Sequence, residues 1–363
     1  MSTRRKATWK QRVNESFKAH QGGNIMNRRD FLKGTSIVAG AVMAHKCIGL
    51  EDLVFGANHD IQRDGMIYRQ MGSTDEEISI IGLGGSHIGT QSDPKDSIQI
   101  IRAALNQGIN FMDNSWDYNN GESEERMGKA LQDGYRRKAF LMTKFDGRTR
   151  VEAAKQIDQS LRRLNTDHVD LLMCHEVIRM NDPDRFFAKG GGVEAALAAR
   201  QAGKARYLGF TGHKDPAIHL HMLNLAAAHN FKLDAVLMPI NVMDAHYRSF
   251  QHQVMPTLIS KNIGVLSMKP MGGGIILQSN AVSARECLHY AMSVSPGTVI
   301  TGIDSMPILN QALQTVRSFK PMSRSEISTL LAITAKFAKN GKFELFKTSE
   351  HFDSTAKHPE WLG

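Results

Sequence analysis

Cysteine is scarce in this chain: 363 residues hold three, Cys47, Cys174 and Cys287, widely scattered. That spacing excludes a disulfide framework and gives no clustered thiolates for a zinc or iron–sulfur centre. No apolar run is long enough to form a stable membrane anchor, and no low-complexity segment or internal repeat interrupts the body of the chain. Surplus positive charge is also missing from that body. Residues 1–33 carry nine Lys/Arg against Glu15 and Asp30, which accounts for most of the net charge of +9. A nearly neutral body excludes nucleic acid as a partner, because the basic balance belongs to the leader alone.

The leader has its own logic. In "NRRDFLKGTSIVAGAVMA", residues 27–44, Arg28 and Arg29 precede Phe31, Leu32, Lys33 and a short, weakly apolar stretch. This is the layout of a twin-arginine export signal, with the export machinery as partner and the periplasm as destination. Val42-Met43-Ala44 would serve as a cleavage site, starting the mature chain near His45; cleavage after Ala57 is the alternative. The expected organisation is a leader and signal over 1–44, a linker over 45–64, a folded domain over 65–320, and a C-terminal helix and polar tail over 321–363.

After Gly65 the chain alternates short β-rich runs with amphipathic helical stretches. Strands are expected at 79–83, 109–113, 139–144, 169–175, 205–209, 235–239, 264–269 and 298–301. Helical patterns fall between and after them, at 97–106, 123–131, 150–164, 193–201, 217–228, 251–261, 283–293 and 309–319. Eight βα units with no room for a second core predict an α/β fold, the (β/α)8 TIM barrel. Ahead of them, "MIYRQMGSTDEEISII" turns at Gly72-Ser73 between two β-like arms, which predicts an N-terminal β-hairpin closing the barrel bottom.

Chemistry in such barrels sits at the C-terminal ends of the strands. "NFMDNSWDYNN", residues 110–120, begins as an apolar strand and turns into carboxylates, amides and rings. Alternation puts Asp113 on the side of Phe111, opposite Met112. Lys144 ends the next strand ("AFLMTK") and His175 the one after ("VDLLMCH"), while Tyr118 lies in the loop after Asp113. Taken singly, such an Asp is more often a cap, such a Lys is solvated and such a His is a core residue. At matched positions on three successive strands, coincidence is the weaker explanation. Asp113 and Lys144 are expected to pair, which answers the burial problem of both. The ammonium beside the phenol is expected to lower the Tyr118 pKa and make it a usable proton donor, with His175 holding a carbonyl oxygen.

With "NFMDNSWDYNNGESEERMGKAL", "LMTK", "VDLLMCHE", "GKARYLGFTGH" and "GVLSMKPMGGG" in order, the chain resembles the aldo-keto reductase family over about residues 66–319. The resemblance implies hydride transfer between a nicotinamide cofactor, NADP or NAD, and a small-molecule carbonyl or alcohol. It makes Asp113, Tyr118, Lys144 and His175 the catalytic set, with Tyr118 as the acid. It also points to Thr211, Gly212, His213, Asn241, Lys269, Met271, Gly272, Gly273, Ser305 and Gln311 as cofactor-binding positions, and to no metal. Departures are specific. Thr211-Gly212-His213 replaces the family's Ser-Asn, and Leu237 stands where a Gln is expected. Lys269 and the glycines after it suit a phosphate. No Arg or Lys near Ser305 offers a clamp for a ribose 2′-phosphate, and Asp304 would repel one. His213 and Lys214 suit either an extra ligand contact or a helix cap beside Asp215-Pro216.

Two other readings remain open on the residues. One is a metal-dependent barrel isomerase or hydrolase using His175, Glu176, Asp113 and His213, disfavoured by the charge of Lys144. The other is a binding or sensory protein that kept the barrel and lost turnover, motivated by Gly212 and Leu237.

Overall fold

The computed structural model describes residues 60–363. The basic leader, the twin-arginine segment and most of the expected linker lie outside the described residues. Strand β1 (Ile61–Arg63) falls at the end of that linker and pairs antiparallel with β2 (Met66–Gln70), which pairs with β3 (Glu77–Ser79). The expected hairpin is therefore a three-stranded sheet. Its turn packs so closely that a Cβ on Gly72 would overlap the backbone of Asn262, Ile263 and Gly264, and Gly72 adopts φ +53°. Only glycine fits there without strain.

Eight parallel strands close the barrel: β4 (Ile81–Gly84), β5 (Phe111–Asp113), β6 (Phe140–Phe145), β7 (Val169–Cys174), β8 (Ala205–Thr211), β9 (Ala235–Pro239), β10 (Gly264–Met268) and β11 (Val299–Gly302). β11 returns to pair with β4, with Val299 opposite Ile81. All eight expected strands are present, with no end moved by more than two residues. Helices follow the strands, and several start at residues chosen for the purpose. Asp93, Thr149 and Asp215 each accept a backbone N–H in the first turn, and Ser283 forms a reciprocal capping box with Glu286. The helix expected at 251–261 is instead two short pieces, Phe250–Gln253 and Met255–Ser260. Pro256 lacks an N–H and cannot continue the first piece.

Strand alternation sorts the apolar residues into two buried groups. Phe111, Phe140, Met142, Leu171, Met173, Leu237, Leu266 and Ile300 fill the barrel interior, with Met71 and Ile78 from the hairpin sealing its base. Met112, Leu141, Leu172, Cys174, Val236 and Val265 point the other way, into the layer between barrel and helices. Because the interior is packed with side chains, polar residues that continue the inward series can only emerge at the top. Asp113 follows Phe111, Lys144 follows Met142, and His175 follows Met173, each two residues further on.

The base is held by Arg69, whose guanidinium is 1% exposed. It donates to the carbonyls of Met292 (2.9 Å) and Ser295 (2.6 Å) and pairs with Asp60 at 2.7 Å. Arg69→Ala removes the donor for two buried carbonyls and should cost about 3 kcal/mol, since hydrogen bonds from a charged donor contribute about 1.5–3 kcal/mol each. Urea denaturation measures this, and a loss below about 1 kcal/mol would show that the hairpin does not depend on it.

Candidate active site

Lys144, 1% exposed, is the centre of the rim. An ammonium has three protons to give and accepts nothing. Its Nζ donates to Asp113 Oδ1 at 2.6 Å, to the Asn114 carbonyl at 2.7 Å and to Tyr118 Oη at 3.0 Å. The expected ion pair is thus formed, and every donor has an acceptor. Because the phenol oxygen accepts from Lys144, its own proton remains available to a third group. The cation also lies 4.3 Å from the Tyr118 ring centroid.

The turn that carries Tyr118 has an unusual backbone. Asn119 (φ +53°), Asn120 (φ +55°) and Gly121 (φ +95°) are all left-handed, a region that asparagine tolerates and glycine favours. This sequence of residues swings the chain back over the rim before the helix Glu122–Ala130 begins. The phenol does not titrate as the Lys144 contact alone suggests. Burial, then the charges of Asp113, Asp117, Glu176 and Asp146, raise its pKa well above the usual tyrosine value. Burial first, and the carboxylates with it, prevail over the contact with one ammonium, so the shift runs opposite to the expected lowering.

His175 follows β7 and is 7% exposed. Its Nδ1 faces three oxygens: Asp146 Oδ1 at 3.0 Å, Ser115 Oγ at 3.2 Å and Asp117 Oδ1 at 3.3 Å. Burial alone would lower the imidazole, but the two carboxylates outweigh it and push the pKa up to about 10. Asp117 is drawn down to about 2: burial opposes its charge and the contact with His175 prevails. Sequence reasoning passed over both carboxylates. Asp146 could have been found by alternation, two residues beyond Lys144, whereas Asp117 gave no signal apart from its neighbour Tyr118. Arg148, fully buried, fixes the two strand ends by donating to the carbonyls of Asp146 (2.6 Å), His175 (2.8 Å) and Glu176 (2.8 Å).

The four-residue metal set is not assembled. Asp113 is on Lys144 and His213 Nε2 meets Asp353 at 2.9 Å. Glu176 accepts from the N–H groups of Ser354 (2.8 Å) and Thr355 (2.7 Å). These last contacts come from the segment 342–363, expected to be a polar tail. It is a strap across the rim instead. Lys347 is buried on Asp244 (2.7 Å), and the Leu362 carbonyl accepts from Arg148 N (2.8 Å). Trp361 packs edge-on against Trp116 at 5.3 Å.

The expected cofactor positions divide. Thr211, 2% exposed, ends β8 with its hydroxyl buried and without a protein partner, and Thr301 on β11 is in the same condition. Thr211, in register with interior Leu237, fits a bound polar ligand at the rim, whereas Thr301 alternates with interior Ile300 and faces the helix layer beside Leu83. Ser305 makes no side-chain cap bond to the helix Met306–Arg317, and Gln311 is exposed on that helix. Gly212 lies so close to the Val177 carbonyl and His219 that no side chain fits. Leu237 is core, inside the barrel. Lys269 lies 4.2 Å from the Phe352 ring and 5.5 Å from Phe346, both in the strap, and burial lowers its amine to about 8. Gly272 and Gly273 are left-handed, beside half-buried Met271. The N–H groups of Gly272 and Gly274 bond to the Lys269 and Met271 carbonyls, so the turn is less open to a phosphate than its composition suggests. Asn241 accepts from Met243 N (2.8 Å) and Asp244 N (2.9 Å) and donates to Glu344, which gives its amide to the loop and strap rather than to a ligand.

Residues 80–287 match the model of the Aldo/keto reductase family. The L-galactose dehydrogenase of Arabidopsis thaliana is 30% identical over 229 residues, covering 58% of this chain and 67% of that protein. Among solved structures, an aldo-keto reductase of Bacillus halodurans in its holo form superposes with a TM-score of 0.62 at 20% identity, over 76% of this chain and 99% of that one. An aldo/keto reductase of Klebsiella pneumoniae, in complex with NADP and acetate, gives 0.59 at 19%, over 74% and 95%.

The charge state of His175 has a measurable consequence. A raised imidazole pKa contributes stability that is complete below the unfolded value of 6.5 and is lost as the pH rises through about 10. The stability difference between the wild type and His175→Asn should therefore shrink over that interval. A difference that stays constant in chemical denaturation at each pH would show that the imidazole is not charged.

Proposed function

The chain belongs to the aldo/keto reductase family and is an NAD(P)-dependent oxidoreductase; from that premise we propose that it reduces a small-molecule carbonyl with Tyr118 as the proton donor, or oxidises the matching alcohol with the Tyr118 oxygen taking the proton back. The observation that carries this reading is the three-way donation of Lys144, which directs the phenol proton away from the lysine. A substrate oxygen set against Tyr118 Oη receives that proton. A nicotinamide cofactor, when bound, would supply the hydride or take it back. Asp113 pairs with Lys144 and holds it in place; without it the ammonium would be buried unpaired. His175, edge-on to the Tyr118 ring with centroids 5.8 Å apart, faces the same oxygen. Thr211, with its buried and unpartnered hydroxyl, and the helix start at Ser305 are the groups of this chain that we assign to the dinucleotide. The absence of a basic residue beside Ser305 supports use of the cofactor without strong preference for a 2′-phosphate.

The leader adds a location. Residues 27–44 support export by the twin-arginine route, which carries folded proteins and so allows cofactor loading before translocation. Among the described residues no helix is long and apolar enough to cross a membrane.

Two experiments test these proposals. Tyr118→Phe should lower reduction of a probe aldehyde such as 4-nitrobenzaldehyde by about 10²–10⁴-fold with its melting temperature kept, the range for a positioned acid. A Phe variant with near wild-type turnover would sink the assignment. Replacing Arg28 and Arg29 together by lysine should leave the protein in the cytoplasm; unchanged recovery from the periplasm would remove the export proposal.

A further inference from the structure

Two carboxylates converge on one imidazole nitrogen in this site, and that fixes which proton the ring can use. An ionised carboxylate only accepts hydrogen bonds, so Nδ1, facing Asp146 Oδ1 and Asp117 Oδ1, must carry a hydrogen. A neutral ring would then have no hydrogen on Nε2. Such a ring could accept from a substrate hydroxyl but could not donate to a carbonyl oxygen, which is the role the reaction requires. We propose that Asp117 and Asp146 are positioning residues that hold His175 as an imidazolium, its Nδ1–H given to the carboxylates and its Nε2–H left to the pocket as the donor for the substrate oxygen.

Burial and geometry both support the arrangement. The side chains of Asp117, Asp146 and His175 are 4%, 0% and 9% exposed, so the three charges are not screened by water. The ring nitrogen makes its hydrogen bond to Asp146 Oδ1, while Asp117 Oδ1, buried and without a hydrogen-bond partner, lies 3.3 Å from the same nitrogen and acts on it through charge. Arg148 holds the main-chain oxygens of Asp146 and His175 with one guanidinium, 2.6 Å and 2.8 Å away, which keeps carboxylate and ring in register. The other charged groups about the ring divide by element. Lys144 on β6 and Arg148 in the loop after it are cations. Asp113 on β5, Glu176 after β7 and Asp182 on the helix Asp182–Phe187 are anions, each with its own partner. Burial and the charge of Asp117 raise Asp146, and the two carboxylates raise His175 against its burial; both shifts keep a proton in the Asp146–His175 contact.

The inference rests on the reductase reading for its catalytic role, but the proton state can be measured without turnover. In protein labelled with ¹⁵N-histidine and free of cofactor, assigned by comparison with His175→Asn, both ring nitrogens of His175 should be protonated at about pH 8, where an ordinary histidine is neutral. In Asp146→Asn, which keeps the shape and removes the charge, its titration should move down by more than about one pH unit, the effect of removing an opposite charge within contact distance. With 4-nitrobenzaldehyde as probe, the alkaline limb of kcat/KM should move down with it, and activity on the acid side should return to within about tenfold of wild type. A ring carrying one proton at that pH in the wild type overturns the proposal. So does a loss in Asp146→Asn that is uniform with pH, which is the signature of a merely structural role. A stoichiometric divalent metal in the purified protein that disappears in this variant would overturn it as well. Failure of the Tyr118→Phe test alone would remove the reductase reading and leave the imidazolium standing.

Discussion

The site is organised by the requirement that a buried ammonium give away three protons. Lys144 reaches the top of a packed barrel interior where water cannot solvate it, so it takes the last carboxylate of β5, the next main-chain carbonyl and the phenol. Each partner restricts the chain around it. Asp113 must end its strand facing inward, Asn114 must turn its carbonyl to the same point, and the loop must come back within four residues to deliver Tyr118. The left-handed conformations of Asn119, Asn120 and Gly121 then turn the chain from Tyr118 into the helix that follows. The chemical result is a phenol whose oxygen is fixed and whose hydrogen is free.

The other half of the site is a balance of charge. Asp113, Asp117, Asp146, Glu176 and Asp353 stand around the rim with Lys144, Arg148, His175 and Lys269. Their sum decides what single contacts do not. Tyr118 touches a cation and is nevertheless raised, because burial and several carboxylates act together. Lys269 is lowered, because desolvation exceeds the attraction of Glu176 and Asp353. An imidazole that gains a proton is suited to donating a hydrogen bond toward an oxygen on which negative charge develops, which offsets the phenol's firmer hold on its own proton.

The C-terminal strap contributes to the same balance. Glu344, Lys347, Asp353 and Thr355 look like residues of a solvated tail, yet all are buried: the first two meet Asn241 and Asp244 after β9, Asp353 meets His213 after β8, and Thr355 meets Glu176 after β7. Glu176 and His213, which the rim would otherwise leave desolvated and unpaired, have their partners in this segment. The strap also sets two aromatic rings beside Lys269, so the region expected to meet a dinucleotide is shaped as much by residues 342–363 as by the barrel strands.

The barrel was legible in the sequence because its signals are local. Alternation of apolar residues, helix starts at Asp93, Thr149, Asp215 and Ser283, and the inward series ending in Asp113, Lys144 and His175 depend on near neighbours in the chain, and periodicity reports those directly. Pro256, which splits one helix, was local as well and could have been used. Contacts between residues far apart were not legible. Asp353 lies 140 residues from His213 and Glu176 lies 178 from Ser354, and no pattern of spacing links such pairs. Asp117 and Asp146 were visible as residues, but only the closure of β5 beside β6 and β6 beside β7 brings them to one imidazole nitrogen. The sequence determined which side chains would reach the barrel mouth; the tertiary structure decided their protonation, because burial and the sum of surrounding charges exist only once the barrel has closed.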